Sequence, residues 1–212
     1  MERRADVRDT YDRIATHFAA TREYAWPEVE SFLESVPHGV VGLDLGCGNC
    51  RHAEGLADRV DRVVGLDVSR GLLETGRERA HDRTFDVDLV QGDAATLPLR
   101  DGVVDVAVYV ATLHHLPSRP ARLASLDELA RVLAPDGRAL VSAWSTAHDR
   151  FDADAGFDTT IEWTLPDGET VDRFYHIYDP DEFETDLEDS GLEILEWELS
   201  SGNCYATVTV DR

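Results

Sequence analysis

The stretch VVGLDLGCGNCRH, from Val40 to His52, decides the fold. An apolar strand runs into Asp44 and then into a glycine-spaced turn. Gly46 and Gly48 let the main chain bend tightly and let a ligand lie almost against it, which residues carrying a Cβ permit less easily. A second apolar run, Val63 to Leu66, ends in Asp67, about 20 residues beyond the first glycine, where a carboxylate accepts hydrogen bonds from both hydroxyls of a ribose. A third run, Val87 to Val90, leads into Gly92-Asp93-Ala-Ala-Thr-Leu-Pro98. Strand, glycines and two strand-end carboxylates in this order describe a cradle for a nucleoside.

Outward from that stretch the period switches repeatedly between helix and strand. Val7, Tyr11, Ile14 and Phe18 recur at helical spacing, and Trp26-Pro27 starts a second helix that reaches about Ser35, with proline in the favoured first turn. After the strand Val40 to Leu45 come a helix near His52 to Ala57, the strand Val63 to Leu66, and a helix Leu72 to Ala80 capped by Ser69. Val103 to Val110 is almost unbroken in its apolar character, which suits a strand covered on both faces. A helix from Arg119 to Leu133 leads through Pro135-Asp-Gly to the strand Arg138 to Trp144, and the whole reads as a doubly wound α/β pattern. Beyond it, Thr159 to Leu165 and Glu169 to Tyr175 alternate around Pro166-Asp167-Gly168 as an inserted β-hairpin. Asp179-Pro180 caps another helix, and Glu193 to Leu199 with Tyr205 to Val210 close the chain as an antiparallel pair. One domain over residues 1–212 is expected, with an N-terminal helical extension at 1–36 and an insertion at 146–178 on the substrate side.

Charge is the unusual bulk property. Asp and Glu total 43 against 20 basic residues, all of them arginine, for a net charge of −23. An acidic surface without lysine fits a salt-rich cytoplasm, where a Debye length of about 3 Å in molar salt screens self-repulsion. The same charge argues against nonspecific binding of nucleic acid, so an RNA substrate requires a local arginine patch. Arg3, Arg4 and Arg8, with Arg119 and Arg122, are candidates for that patch. No apolar run approaches a membrane span of about 20 residues, and the N-terminus lacks the apolar core of a signal peptide, so a cytoplasmic location is expected. Cys47, Cys50 and Cys204 form no disulfide framework; Cys47-x-x-Cys50 lies inside the glycine turn without a second ligand pair, and no metal is expected.

Two cofactors compete for the turn. A dinucleotide fingerprint wants glycine three residues after the second glycine, and Arg51 stands there. S-adenosylmethionine needs only the shorter loop beneath its amino-acid end, and Asp93 after the third strand is placed to accept from an adenine amino group. The expected cofactor-binding set is Asp44, Gly46, Cys47, Gly48, Asp67, Val68, Asp93 and Ala94.

The core from about Val40 to Val210 resembles the class I S-adenosylmethionine-dependent methyltransferases, whose mostly parallel seven-stranded sheet ends in a reversed antiparallel hairpin. Three further segments narrow the resemblance: YDRIATHFAATREYAWPEVESFL at Tyr11 to Leu33, LHHLPSRPARLASLDELARVLAPDGRALVSAW at Leu113 to Trp144, and RFYHIYDPDEFE at Arg173 to Glu184. These are similar to the tRNA wobble-uridine methyltransferases, which methylate a carboxymethyl group on an anticodon uridine. Thr21-Arg22 with Trp26-Pro27, and Arg173-Phe-Tyr-His176, discriminate better than His114-His115, a pair that many small-molecule methyltransferases carry. Two residues depart from the family pattern. Cys50 replaces the last glycine of Gly-Cys-Gly-Asn-Gly and fits only if the backbone there is not restricted to glycine, and Phe174 stands where tyrosine is frequent.

The resemblance implies a carboxylate nucleophile, already ionised near neutral pH, that needs orientation and water exclusion more than a base. Arginine holds such a group with a planar fork of donors. Arg22 and Arg173 are the expected anion holders, and His115, Trp144 and His176 complete the expected catalytic set. Each has an ordinary alternative: Arg22 beside Glu23 and Glu28, Arg173 solvated on a hairpin edge, the histidines and Trp144 as packed core. The family also works with a small zinc-binding activator protein, expected here at the exposed edge of the strand at 87–90. A small-molecule methyltransferase and a catalytically silent tRNA-binding scaffold, the latter suggested by Cys50, are the competing functions.

Overall fold

The computed structural model of the protein describes residues 2–210, with side chains from Asp6 onward. In chain order the elements are α1 (Glu2–Ala20), α2 (Pro27–Ser35), β1 (Gly39–Leu45), α3 (Arg51–Leu56), β2 (Val60–Asp67), α4 (Arg70–Arg83), β3 (Asp88–Gln91), β4 (Val104–Val110), α5 (Arg119–Val132), β5 (Leu133–Trp144), β6 (Phe157–Thr164), β7 (Thr170–Ile177), α6 (Pro180–Glu188), β8 (Leu192–Ser200) and β9 (Asn203–Val210). The main sheet runs β3-β2-β1-β4-β5-β9-β8. Its pairs are parallel through β5, and β9 then returns antiparallel to both β5 and β8. This is the doubly wound, seven-stranded α/β arrangement expected, with its reversed terminal hairpin.

Successive side chains of a strand point to opposite faces, so a strand buried on both must be apolar throughout. In β4, Ala107 and Tyr109 join Leu126 and Leu129 of α5 and Phe183 and Leu187 of α6. Val106, Val108 and Val110 face the other way, toward Val29, Phe32 and Leu33 of α2 and Ala53 and Leu56 of α3. Each large side chain so buried contributes about 1.5–3 kcal/mol, and the two layers fix where the C-terminal ends of β1 to β5 stand.

Side-chain caps start the helices where the sequence places them. Ser69 Oγ accepts from Leu72 N at 3.1 Å, Ser118 Oγ from Ala121 N at 3.4 Å, and Asp179 Oδ1 from Asp181 N at 3.0 Å; such caps stabilise by about 1 kcal/mol each. Asp12 of α1 accepts from Ser69 Oγ at 2.7 Å and from Gly71 N at 2.9 Å, which fastens α1 across the start of α4.

One boundary differs from the sequence reading. β5 begins at Leu133, paired with Val104, and pairing resumes only at Arg138 opposite Val106. Residues 134–137, with Pro135-Asp-Gly, bulge out between them, because proline cannot donate to the ladder.

The inserted hairpin β6–β7 forms its own antiparallel sheet. Val171, Trp163 and Leu165 pack on Tyr11, Ile14 and Phe18 of α1, while Ile161, Tyr175 and Ile177 pack on Trp144, Phe151 and Phe157. β3, four residues long, is the outer strand on one side of the main sheet. No helix among the described residues is long and apolar enough to cross a membrane.

Candidate active site

A cleft opens over the C-terminal ends of β1, β2, β3 and β4, where strand order reverses and α/β sheets bind ligands. Of the expected cofactor residues, Gly46, Asp67, Val68, Asp93 and Ala94 line it; Val7 of α1, Leu66, Gly92, Thr112, His115, Leu116 and Pro117 complete the wall. Gly46 has φ +75° and a Cβ there would lie 2.2 Å from Thr112 Oγ1, so the position excludes a side chain on two counts.

Asp67 ends β2 with both carboxylate oxygens held by main chain: Oδ1 accepts from Ser69 N at 2.8 Å and Oδ2 from Gly48 N at 2.9 Å. Each oxygen keeps a further lone pair for a ribose hydroxyl. Burial pushes its pKa up to about 6 against the pull of those amides. Asp93 is fixed similarly, with Oδ1 accepting from Ala95 N at 2.9 Å.

The residues lining this cleft do not include the other three expected there, Asp44, Cys47 and Gly48. Asp44, 1% exposed, accepts from Ala53 N at 2.9 Å and so joins β1 to α3; burial raises its pKa to about 7. Cys47 and Cys50 are buried free thiols, and the Cys47 pKa is raised well above its ordinary value by its contact with Cys50 and by burial. Among the described residues no group of three or more His, Cys, Asp or Glu is placed to hold a metal.

Cys50 has φ 61° and ψ 27°, a left-handed conformation open to residues other than glycine at a cost of about 1–2 kcal/mol. Its sulfur fills a notch in α4, where a Cβ on Gly76 would meet it at 2.6 Å. The departure from the glycine pattern at 50 is therefore matched by a glycine at 76. Next to it, Asn49 Nδ2 donates to Ala19 O at 3.2 Å and Arg22 O at 2.9 Å, tying the turn to the end of α1.

Beside the cleft lies a second cavity of about 320 Å³, which meets the first at His115. Its lining includes Tyr11, Phe18, Trp26, His114, Trp144 and Tyr175, four arginines at 22, 51, 150 and 173, and no carboxylate. Arg173 is 7% exposed and its Nε has no partner. Its Cζ lies 4.8 Å from the Trp163 ring and 5.2 Å from the Tyr175 ring. Arg22 sits 4.7 Å over Phe18 and 5.9 Å from the same Trp163. Burial, followed in order by nearby Tyr175 and then Arg173, sets the Arg22 pKa, which is lowered. Arg51, read from sequence only as a mismatch to the dinucleotide pattern, lies 4.8 Å over Trp26. Burial and then Arg22 lower its pKa to about 10.

His115 joins the two spaces. Its Nδ1 is 2.9 Å from Phe174 O, which can only accept, so Nδ1 carries the hydrogen and Nε2 accepts from Tyr11 OH at 2.8 Å. Burial lowers its pKa to about 4, which leaves it neutral and fully hydrogen-bonded. Geometrically it orients Tyr11 and the hairpin and has no nitrogen left over to act as a base. Trp144 stands at the cavity wall against Tyr175, Phe151 and His148.

Two expectations are corrected. His176 does not face the cavity: alternation along β7 points Arg173 and Tyr175 inward and His176 outward. There its Nδ1 is 2.8 Å from Asp158 and its Nε2 3.0 Å from Glu182. The described members of the expected arginine patch are also neutralised. Arg8 pairs with Asp9, Arg119 with Asp186 and Asp189, and Arg122, with a 4% exposed side chain, with Glu182; the side chains of Arg3 and Arg4 lie outside the described residues.

Comparison with known proteins is consistent with this geometry. A methyltransferase-domain family model matches residues 43–141. A putative methyltransferase of Encephalitozoon cuniculi is 30% identical over 205 residues, covering 93% of this chain and 92% of that protein. The tRNA (carboxymethyluridine(34)-5-O)-methyltransferase of Schizosaccharomyces pombe is 29% identical over 213 residues, 90% of each. The Arabidopsis thaliana protein of the same name is 36% identical over 143 residues, 68% of this chain; the chain spans only 33% of its length. The fold matches the solved DhpI–SAH complex (TM-score 0.75, 20% identity, 98% and 97% coverage). It also matches the putative methyltransferase in complex with the Haloferax volcanii Trm112 activator (TM-score 0.71, 17% identity, 97% and 98% coverage). Fold, cleft and relatives together make the chain a member of the S-adenosylmethionine-dependent methyltransferases, similar over most of its length to the tRNA carboxymethyluridine enzymes.

Proposed function

We propose that the protein transfers a methyl group to the carboxylate of a carboxymethyl-type wobble uridine in tRNA, forming a methyl ester. One observation carries this reading: an arginine-lined cavity free of carboxylates, in a chain with 43 acidic residues, adjoins the cofactor cleft. Such a cavity is made for an anion. The relatives named tRNA (carboxymethyluridine(34)-5-O)-methyltransferase support a carboxymethyluridine as that anion.

The cleft fits the nucleoside part of S-adenosylmethionine. Asp67 has free lone pairs for the ribose, Asp93 and Ala94 border the adenine side, and Gly46 leaves room for main-chain approach. Asp44, bonded to Ala53 N, and Gly48, bonded to Asp67, hold the turn in this shape. Bound there, the cofactor supplies an electrophilic methyl on a sulfonium. The chain's own task is to hold and aim the acceptor. Arg173 and Arg22, both braced on Trp163, are the carboxylate holders; Trp144, Tyr175 and Phe18 exclude water. A carboxylate is ionised at neutral pH and gives up no proton on methylation, in keeping with a His115 that is neutral and already bonded at both nitrogens.

The exposed edge of β3 is proposed as the docking strand for a small zinc-binding activator, by analogy with the Trm112 complex. A cytoplasmic, heterodimeric enzyme of a salt-rich cell completes the reading. Cys50, the reason to consider a silent scaffold, packs on α4 instead of blocking the cleft.

The test is methyl transfer at high salt to total tRNA from a strain lacking the enzyme, with and without co-expressed activator. A new methyl ester at the anticodon uridine, detected by nucleoside mass spectrometry and abolished when the RNA is digested beforehand, is the expected result. Incorporation that is unchanged by prior digestion would overturn the tRNA assignment in favour of a small-molecule substrate.

A further inference from the structure

A single carboxylate leaves this cavity over-supplied with positive charge. Four arginines line it, and among the described ion pairs none of the four has a carboxylate partner. Elsewhere the acidic excess finds arginines readily: those at 8, 13, 62, 70, 79, 83, 119, 122 and 131 all carry ion pairs. One planar carboxylate accepts a bidentate fork from one guanidinium and a further bond or two from a second. Arg173 and Arg22, which share Trp163, exhaust that capacity. Arg51 and Arg150 remain.

The four are graded in depth. Arg173 is buried against Tyr175, whose ring stacks edge-on to His115 at 4.5 Å beside the cofactor cleft. Arg22 and Arg51 are half-buried, and Arg150 is exposed. Arg51 is held over Trp26 and donates from Nη1 to Tyr24 O at 3.4 Å, and Arg150 lies 6.0 Å from the Trp144 ring, so each has a flat aromatic support on the cavity wall and N–H groups that no carboxylate takes up. Arg51 and Arg22 also crowd each other, a repulsion that a second anion relieves.

We propose that Arg51 and Arg150 form a phosphate-binding rim, which takes a phosphodiester of the same RNA strand that presents its base-linked carboxylate to Arg173 and Arg22. This rests on the reading of the substrate given above and adds to it: the enzyme recognises its uridine within a polynucleotide through two anions at different depths. It also places the strand-binding surface at the cavity mouth, where the paired arginines at 119 and 122 cannot supply it.

The experiment uses the full chain with any co-purifying activator, and compares 5-carboxymethyluridine nucleoside with an anticodon-loop oligonucleotide containing it. Arg51→Gln with Arg150→Gln is expected to raise KM for the oligonucleotide at least 10-fold, by clearly more than for the nucleoside. The plot of log kcat/KM against log salt should flatten by about 0.7 for each phosphate of a single strand that is no longer neutralised. Lysine at both positions should recover most of the salt slope, since phosphate binding tolerates a point charge. Calorimetric cofactor binding in each variant checks that the fold is retained. A salt slope equal to the wild type's, or a KM rise no larger for the oligonucleotide than for the nucleoside, overturns the rim. If the wild type methylates neither substrate, the carboxymethyluridine reading fails with it; if it methylates the oligonucleotide and the glutamine variants match it, only the rim fails.

Discussion

The cleft at the ends of four neighbouring strands takes its shape largely from main-chain turns, whereas the cavity proposed to hold the acceptor is lined by side chains arriving from α1, α3, the loop after β5, and β7. In the first, a turn that only glycine permits and carboxylates pinned by amides set the shape. In the second, guanidinium groups rest on aromatic rings, and the charge they display is the reverse of the surface around them. The difference teaches that such a molecule can keep one half of its chemistry constant through backbone geometry and vary the other half through a few side chains.

The separation can be tested by substitution on each side. Gly46→Ala combines left-handed strain with a clash against Thr112, together about 3 kcal/mol or more, so calorimetry should find cofactor affinity at least ~100-fold weaker. Arg173→Gln removes a charge-assisted fork of about 2–3 kcal/mol. It should lower kcat/KM for the acceptor by roughly 30- to 150-fold while the cofactor Kd moves less than about twofold. A Gly46→Ala protein with normal cofactor affinity, or an Arg173→Gln protein that loses it, would break the comparison.

A smaller effect concerns protons. Burial holds Asp67 near 6 and Asp44 near 7, above the ~3.9 of an unfolded aspartate. Between about pH 4 and 7 the folded chain therefore keeps protons that the unfolded chain has released, and these two groups make stability fall as pH rises through that window. Ribose hydroxyls donating to Asp67 beside a sulfonium favour its ionised form. Cofactor binding near pH 6 should then release protons, visible as binding enthalpies that differ between buffers with different heats of ionisation; identical enthalpies would break the assignment. Smallest of all, Cys50→Gly relieves backbone strain but removes the sulfur that packs on α4. The net should stay within about 1 kcal/mol, and a thermal melt that shifts more than about 4 °C would show the notch at Gly76 to matter more than the strain.

The same contrast explains what is legible in the sequence. The cleft is local, a strand and its following turn repeated three times, so Gly46, Asp67 and Asp93 can be read from spacing. Thr112 and Leu116 carry no pattern of their own. The cavity draws on residues from Tyr11 to Asn203, and no spacing announces that Arg51 and Arg150 meet Arg173. Arg22 and Arg173 emerge only through a family resemblance, and His176 is misplaced by it because alternation gives two faces without saying which is inward. Arg119 and Arg122 look like a free basic patch because Asp186 and Asp189 for the first and Glu182 for the second, about 60–70 residues away in sequence, become their neighbours only on folding.

One helix touches both spaces. Val7 lines the cleft and Tyr11 the cavity, while Asp12 clasps the start of α4. A wall shared by two spaces ties their shapes together: a displacement of α1 would alter the cleft at Val7 and the cavity at Tyr11 in one stroke, against the hold of Asp12 on α4.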